Sequence, residues 1–290
     1  MQLQRAGMAT QLARLRPFFC FFGGKWRAVP HYPAPRFRRI IEPFAGAAGY
    51  STRYFEHDVV LVEKDPRIAR LWRWLLAPRT TSDVILRLPL WGTQYESIDD
   101  PLFQAAVHDA LVPGAFSSSA STSAADLAAA IDLIGFWMNK GSAQPHRRPS
   151  SWMTSGVRPR SHWGAEVRAI IAAQIARVKH WTVIDGDWTE APDDRRPTTW
   201  FVDPPYQVDG KKYRCSAKDI DFELLGRVCV DLGQTQYQQV IVCENEGATW
   251  LPFRPFREIK AAPGKQKKLS YDYTDEVGHK SVEVIWTNDT

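Results

Sequence analysis

Four consecutive residues, Asp203, Pro204, Pro205 and Tyr206, follow an apolar, aromatic run and could together do chemistry on an amino group. Two successive prolines cannot continue a sheet, because each lacks a backbone N–H and has a fixed φ. The Asp203 carboxylate and the Pro204 carbonyl can both accept hydrogen bonds from an exocyclic NH2 group, which makes the nitrogen lone pair available. Tyr206 offers a ring face on which a flipped base can stack. The stretch therefore predicts an amine-polarising site, with the plain end of a strand as the alternative interpretation.

A glycine-containing turn and a strand-end acid lie upstream of this site. Residues 42–50, EPFAGAAGY, put Gly46 and Gly49 after an apolar strand, which leaves backbone N–H groups free at a helix start. In α/β sheets such turns hold nucleotide-like ligands at the carboxyl ends of the strands. Glu63 closes the next strand, where an acid hydrogen-bonds ribose hydroxyls. Both features favour a nucleotide-type cofactor, and a solvated acid is the alternative interpretation of Glu63.

Two shorter segments complete the set of candidate site residues. In residues 21–26, FFGGKW, Gly23 and Gly24 allow close approach of the backbone to a ligand, and Lys25 can pair with a carboxylate. A plain turn before the first strand is the alternative interpretation. Residues 185–188, DGDW, place an acid and an aromatic ring at the end of the strand that precedes the proline pair.

In this order, the segments resemble the Dam-like class of DNA adenine-N6 methyltransferases, which use S-adenosylmethionine. That class carries an aromatic-x-Gly-Gly-Lys element near the N-terminus, then Glu-Pro-Phe-x-Gly, an acid ending the next strand and, far downstream, Asp-Pro-Pro-Tyr. The matching residues here are Phe21 to Lys25, Glu42 to Gly46, Glu63 and Asp203 to Tyr206. The resemblance extends over residues 18–290.

The resemblance implies that S-adenosylmethionine is the cofactor. Lys25 and Phe21 would contact its methionine part, Phe44 and Gly46 would line its pocket, and Glu63 would hold its ribose. The complete set of implied cofactor-binding residues is Phe21, Gly24, Lys25, Glu42, Phe44, Gly46, Glu63, Asp187, Trp188 and Asp203.

The resemblance also implies the reaction, which is methyl transfer to the N6 amino group of an adenine flipped out of duplex DNA. Asp187 and Trp188 would flank the adenine of the cofactor, and Asp203 would lie between cofactor and target base. The implied catalytic residues are Asp203, Pro204, Pro205 and Tyr206. Because the sulfonium is already activated, neither a metal nor a covalent enzyme intermediate is required.

Three features depart from the Dam-like pattern. Ala48 stands where the class often has Gly, and Glu63 stands where it commonly has Asp. Residues 77–165 show no pattern for the β-hairpin with which Dam-like enzymes read GATC. That sequence specificity is therefore not carried over to this chain.

Strand-like and helix-like segments alternate in the first and last thirds of the chain, which predicts an α/β fold. We expect a doubly wound, Rossmann-like methyltransferase sheet with an inserted target-recognition region. The predicted parts are an N-terminal cofactor-binding part (1–76), an inserted helical and loop region (77–165) and a C-terminal catalytic part (166–290). Within the insertion, residues 126–140 are helical in pattern, with Asp126 as the expected cap.

Two basic segments are candidates for DNA contact, since arginine and lysine bind phosphates and aromatic rings stack on bases. A solvated basic surface loop is the alternative interpretation of the first segment. The first, residues 144–164, interleaves Arg147, Arg148, Arg158 and Arg160 with His146, Trp152, His162 and Trp163. The second follows Tyr206 and contains Lys211, Lys212 and Arg214.

Composition limits the class of protein. The chain has 290 residues, 44% of them hydrophobic, and a formal net charge of +5, which permits a polyanionic partner. The four cysteines form no C-x-x-C pair, which fits free thiols in a reducing cytoplasm and no zinc ribbon. No segment has the pattern of a signal peptide or the length of a membrane span. We expect a cytoplasmic, DNA-associated protein, with its oligomeric state open.

The sequence excludes one alternative to adenine-N6 methylation and leaves two open. A cytosine-C5 enzyme needs a cysteine nucleophile, typically after a proline, and no cysteine here follows a proline. Cytosine-N4 methylation, which usually has Ser in place of the Asp, stays open. A catalytically idle nucleic-acid-binding protein on the same fold also stays open.

Overall fold

The strands predicted in the first and last thirds of the chain assemble into one mixed sheet. The computed structural model describes residues 14–112, 123–138, 142–155, 162–192, 195–208, 213–259 and 281–289. In these residues seven strands lie in the order β3-β2-β1-β4-β5-β7-β6. The strands are β1 (Arg39–Glu42), β2 (Asp58–Glu63), β3 (Thr182–Asp185), β4 (Thr198–Val202), β5 (Gln238–Asn245), β6 (Arg254–Ile259) and β7 (Ser281–Thr287).

The first five strands are parallel, and β7 runs antiparallel between β5 and β6. Every residue of β1, β4 and β5 is buried, as expected for central strands covered on both faces. Successive residues of β1 belong to different apolar clusters: Ile40 lies in one and Ile41 in the other. Both faces of the sheet are therefore packed, which makes this an α/β fold with helices flanking a mostly parallel sheet.

Helices supply the apolar cover on each face. Helix α2 packs on β3 and on α5, and its Trp72 is completely buried. Helix α8 packs on β5 through residues that include Leu225 and Cys229. The helices are α1 (Gly49–Arg53), α2 (Pro66–Leu76), α3 (Ser82–Arg87), α4 (Pro101–Leu111), α5 (Ala124–Met138), α6 (Ser151–Thr154), α7 (Ala165–Gln174) and α8 (Phe222–Gly233).

The helices of residues 77–165 share the apolar cluster that contains Ile40 and Trp72. Phe103 of α4 and Leu133 of α5 are fully buried members of it. The described residues of this segment contain no strand, which agrees with the lack of a β-hairpin pattern in its sequence. The boundaries at 76 and 165 stay a prediction.

Two local features differ from the sequence-based expectation. Asp126 does not cap α5: the Ser123 hydroxyl accepts from the Asp126 N–H, and the Asp126 carboxylate pairs with Arg79 at 2.7 Å. Strand β6 was not predicted, because its sequence RPFREI is charged and contains Pro255. Pro255 is tolerated there because β6 lies at the sheet edge and is irregular at that residue.

A membrane-crossing helix would need a long apolar stretch. None of the helices in the described parts of the chain has the length and hydropathy for this.

Candidate functional site

A cleft opens at the carboxyl ends of the parallel strands. It encloses about 880 Å³, its open mouth included. The chain leaves β1 toward β2 on one side and reaches β4 on the other, so the β1–β4 boundary is the point where strand order reverses. In open α/β sheets this is where ligands bind.

All ten residues that the resemblance assigns to the cofactor line this one cleft. Of the catalytic residues, Pro205 lines it together with Asp203, whereas Pro204 is buried and Tyr206 packs against the larger apolar cluster. The ten are Phe21, Gly24, Lys25, Glu42, Phe44, Gly46, Glu63, Asp187, Trp188 and Asp203. They come from segments up to 182 positions apart, and the sheet brings them together because the carboxyl ends of parallel strands share an edge.

The turn after β1 has a backbone conformation that favours glycine. Gly46 has φ +46°, and a Cβ placed there would lie 3.2 Å from the ring of Phe21. Its N–H donates to Glu63 Oε2 at 2.8 Å, and its carbonyl accepts from the Trp72 indole at 2.8 Å. Ala48 also has a positive φ of 48°, a conformation that glycine adopts more easily. The turn is therefore hydrogen-bonded to Glu63 of β2 and to Trp72 of α2.

Glu63 is buried at the end of β2 and is held by two backbone donors. Its Oε2 accepts from Gly46, and its Oε1 accepts from the Asp65 N–H at 2.8 Å. Burial raises the pKa of Glu63 to about 7, against the opposing effect of these hydrogen bonds. Glu63 therefore lines the cleft with its carboxylate fixed by backbone donors.

An aromatic pair lies at the β3 side of the cleft. The rings of Phe44 and Trp188 are stacked with centroids 6.3 Å apart. Asp187 caps the turn Trp188–Glu190 and pairs with Lys64 at 2.9 Å. Burial alone raises the pKa of Asp187, but the hydrogen bond from Lys64 lowers it below its usual range. Two flat apolar rings beside a fixed carboxylate suit a planar heterocycle.

At the β4 side, the buried Lys25 and the partly buried Asp203 form an ion pair with Nζ and Oδ1 2.6 Å apart. Burial raises the pKa of Asp203 to about 6, and the charge of Lys25 opposes that rise. Burial alone lowers the pKa of Lys25, but the carboxylates of Asp203 and Glu283 raise it above its usual range. Lys25 also lies 4.8 Å from the centroid of the Tyr206 ring.

Sequence reasoning missed three residues of this region. Glu283 in β7 is completely buried and accepts from the Tyr206 hydroxyl at 3.0 Å. Tyr213 lines the cleft, and its hydroxyl donates to the Phe22 carbonyl. Glu244, the penultimate residue of β5, accepts from the Gln207 N–H at 2.8 Å, which fixes the chain after the prolines. A single acid inside an apolar strand, as in SVEVIW, was the available signal for Glu283.

The residues proposed for DNA contact are only partly described. Arg147 and Arg148 are exposed, and Arg147 pairs with Asp99 at 3.0 Å. Arg214 lies at the cleft rim, 3.9 Å from an Asp65 oxygen. Four others lie outside the described residues: Arg158, Arg160, Lys211 and Lys212.

The expectation that aromatic residues of 144–164 stack on bases is wrong for two of them. His162 and Trp163 are buried, with 6% and 3% of their surface exposed. The Trp163 indole donates to the Pro89 carbonyl at 2.8 Å, which fixes the ring in the core. The pattern misled because a loop without period can still insert rings into a neighbouring core. The side chain of Trp152 lies outside the described part.

Comparisons with known proteins show no protein-family model that matches this chain and no curated protein that matches it.

Proposed function

We propose that this protein transfers a methyl group from S-adenosylmethionine to the N6 amino group of an adenine in DNA. The observation that carries the proposal is that Asp203, followed by two prolines, shares one cleft with the nine other residues assigned to a nucleotide-type cofactor. On this proposal the sheet is a doubly wound methyltransferase sheet, and residues 77–165 include its target-recognition region.

The cleft residues fit the parts of S-adenosylmethionine. The Phe44 and Trp188 rings are chemically suited to the adenine, and the Glu63 carboxylate to ribose hydroxyls. Gly46 has no side chain, so a ligand can approach its backbone closely. Lys25 provides a cation for the cofactor carboxylate. When bound, the cofactor supplies an electrophilic methyl group.

Asp203 has the properties needed to receive an amine. It directly follows β4, its Oδ1 accepts from Lys25, and on this proposal its Oδ2 receives the amine. Above about pH 6 the group is ionised, and a carboxylate accepts an N–H bond more strongly than a neutral acid does. The prolines hold the Pro204 carbonyl in a fixed direction as a second acceptor. Residues of the chain thus orient and polarise the amine.

DNA is the proposed substrate, and basic residues near the cleft support this choice. Arg214 is half-exposed at the rim, and Arg148 is exposed on the segment that continues from Ala143, a lining residue. Phosphate contacts by arginine would lower the affinity at high salt. We propose a site of action on DNA inside the cell.

The experiment is methyl transfer from labelled S-adenosylmethionine to duplex DNA by the purified protein. Asp203→Asn should lower transfer at least a hundredfold, because the amide offers a weaker acceptor at the amine. Asp231→Asn, an exposed substitution on α8, is the matched control and should retain full activity. Binding of DNA without transfer by the wild type would favour the catalytically idle protein and reject the proposal.

A further inference from the structure

Glu283 is a buried charge that the proposed reaction does not by itself require. It lies in β7, paired with Asn245 near the carboxyl end of β5, and none of its surface is exposed. Its neighbours in the strand, Val282 and Val284, are apolar. Burying a carboxylate without partners costs free energy. We therefore expect Glu283 to have a role at the residues that it contacts.

Glu283 contacts Lys25, which pairs with Asp203, and Tyr206, which follows Asp203 by three positions. Glu283 Oε1 accepts from the Tyr206 hydroxyl at 3.0 Å and lies 3.6 Å from Lys25 Nζ. Lys25 in turn donates to Asp203 Oδ1 at 2.6 Å. Among the described residues, Glu283 Oε2 has no hydrogen-bond partner. Glu283 in β7 therefore links Lys25, the ion-pair partner of Asp203, to Tyr206.

This cluster contains more acids than cations. Lys25 is one cation, and Asp203 and Glu283 are two acids that share it. Burial raises the pKa of Asp203, Lys25 opposes the rise, and Glu283 adds to it. The titratable groups that face Asp203 from the surrounding elements are Lys25, Tyr32, Glu42, Tyr206, Tyr213, Cys243, Glu244 and Glu283.

We propose that Glu283 is a positioning residue of the Asp203 site, which holds Lys25 and Tyr206 in place and limits how strongly Lys25 engages Asp203. This inference rests on the proposed function, because it assigns Asp203 the task of accepting the amine. Glu283 acts through these two neighbours and through its own charge, which raises the pKa of Asp203. A carboxylate wholly neutralised by Lys25 would be a poorer acceptor for the amine, so sharing the lysine keeps Asp203 available.

The test is Glu283→Gln, which keeps the shape and an oxygen acceptor for Tyr206 but removes the charge. Lys25 then pairs with Asp203 alone, so the midpoint of Asp203 ionisation should fall by about one pH unit. The acid limb of the methylation rate should move by the same amount. Ionisation is followed by NMR of ¹³C-labelled aspartate carboxyls, with Asp203→Asn used to assign the signal. Asp289→Asn, which removes a carboxylate paired with Arg36, is the matched control and should shift neither.

A second variant, Glu283→Asn, removes the same charge with a shorter side chain, so the Asp203 midpoint should again fall. If Glu283→Gln does not fold, this variant decides alone. An unchanged Asp203 midpoint in the folded variants overturns the inference, even if the wild type methylates DNA. A wild type that methylates no DNA rejects the proposed function, while the titration still reports whether Glu283 controls Asp203.

Discussion

At the residue scale, the proposed methyl transfer depends on the ionisation of acids at strand ends. Asp203, Glu63 and Glu42 all line the cleft, and burial raises the pKa of each. Acids with raised pKa in a cleft are typical of functional sites, although structural networks produce the same effect. The role of Asp203 is therefore tested by activity, and that of Glu42 by stability.

Methylation should lose activity as Asp203 becomes protonated. Its pKa of about 6 places the loss below about pH 6, where the neutral acid no longer accepts as a carboxylate. We expect the single-turnover rate at saturating cofactor to fall about tenfold per pH unit below this point. Rates measured from pH 5 to 8 check this, and a rate independent of pH over that range would contradict the role given to Asp203.

Glu42 should make the protein less stable as pH rises. Its Oε1 accepts from the Ser51 N–H at 2.7 Å, and burial raises its pKa from 4.5 to about 8. Between these values the folded state binds the proton that the unfolded state has lost, so the free energy of unfolding falls with rising pH. Glu42→Gln keeps an oxygen acceptor for Ser51 and removes this dependence.

The measurement is the difference in Tm between Glu42→Gln and the wild type, from pH 5 to 8. We expect the variant to gain stability relative to the wild type as pH rises through this window. A difference that does not change with pH would show that Glu42 titrates normally.

At the element scale, the start of α1 packs directly on the Lys25–Arg27 turn. A Cβ at Gly49 would lie 2.7 Å from the Trp26 N and 3.0 Å from the Lys25 N. Both are backbone atoms, which cannot rotate away as a side chain would. The contact fixes the turn that carries Lys25, and so it links the glycine-rich turn after β1 to the ion pair with Asp203.

Gly49→Ala should therefore displace Lys25. We expect it to lower the free energy of unfolding by about 1–3 kcal/mol through overpacking and to reduce methylation. Gly164→Ala at the start of α7 is the matched control, because a Cβ there meets no atom closer than 3.9 Å. Denaturant unfolding and methyl transfer are measured on both. Equal behaviour of the two variants would show that the α1 contact does not position Lys25.

At the scale of the whole molecule, the sequence predicted the α/β class because the buried parallel strands are continuous apolar runs ending in acids. The ten residues that the resemblance assigns to the cofactor line one cleft, since the carboxyl ends of the parallel strands share an edge. Edge strand β6 was missed because Pro255 and its charges hide the pattern. Glu283 was missed because its partners, Lys25 and Tyr206, are distant in sequence and only the fold pairs them. Trp163 was misassigned because its burial depends on contacts with Pro89 and Trp137.

The central claim concerns the base and the atom that receive the methyl group. The most direct measurement is mass spectrometry of nucleosides from DNA treated with the purified protein and S-adenosylmethionine, with Asp203→Asn run in parallel. The account predicts N6-methyladenine in the wild-type reaction and at least a hundredfold less with the variant. N4-methylcytosine, or no modified base in DNA that the protein binds, would contradict it.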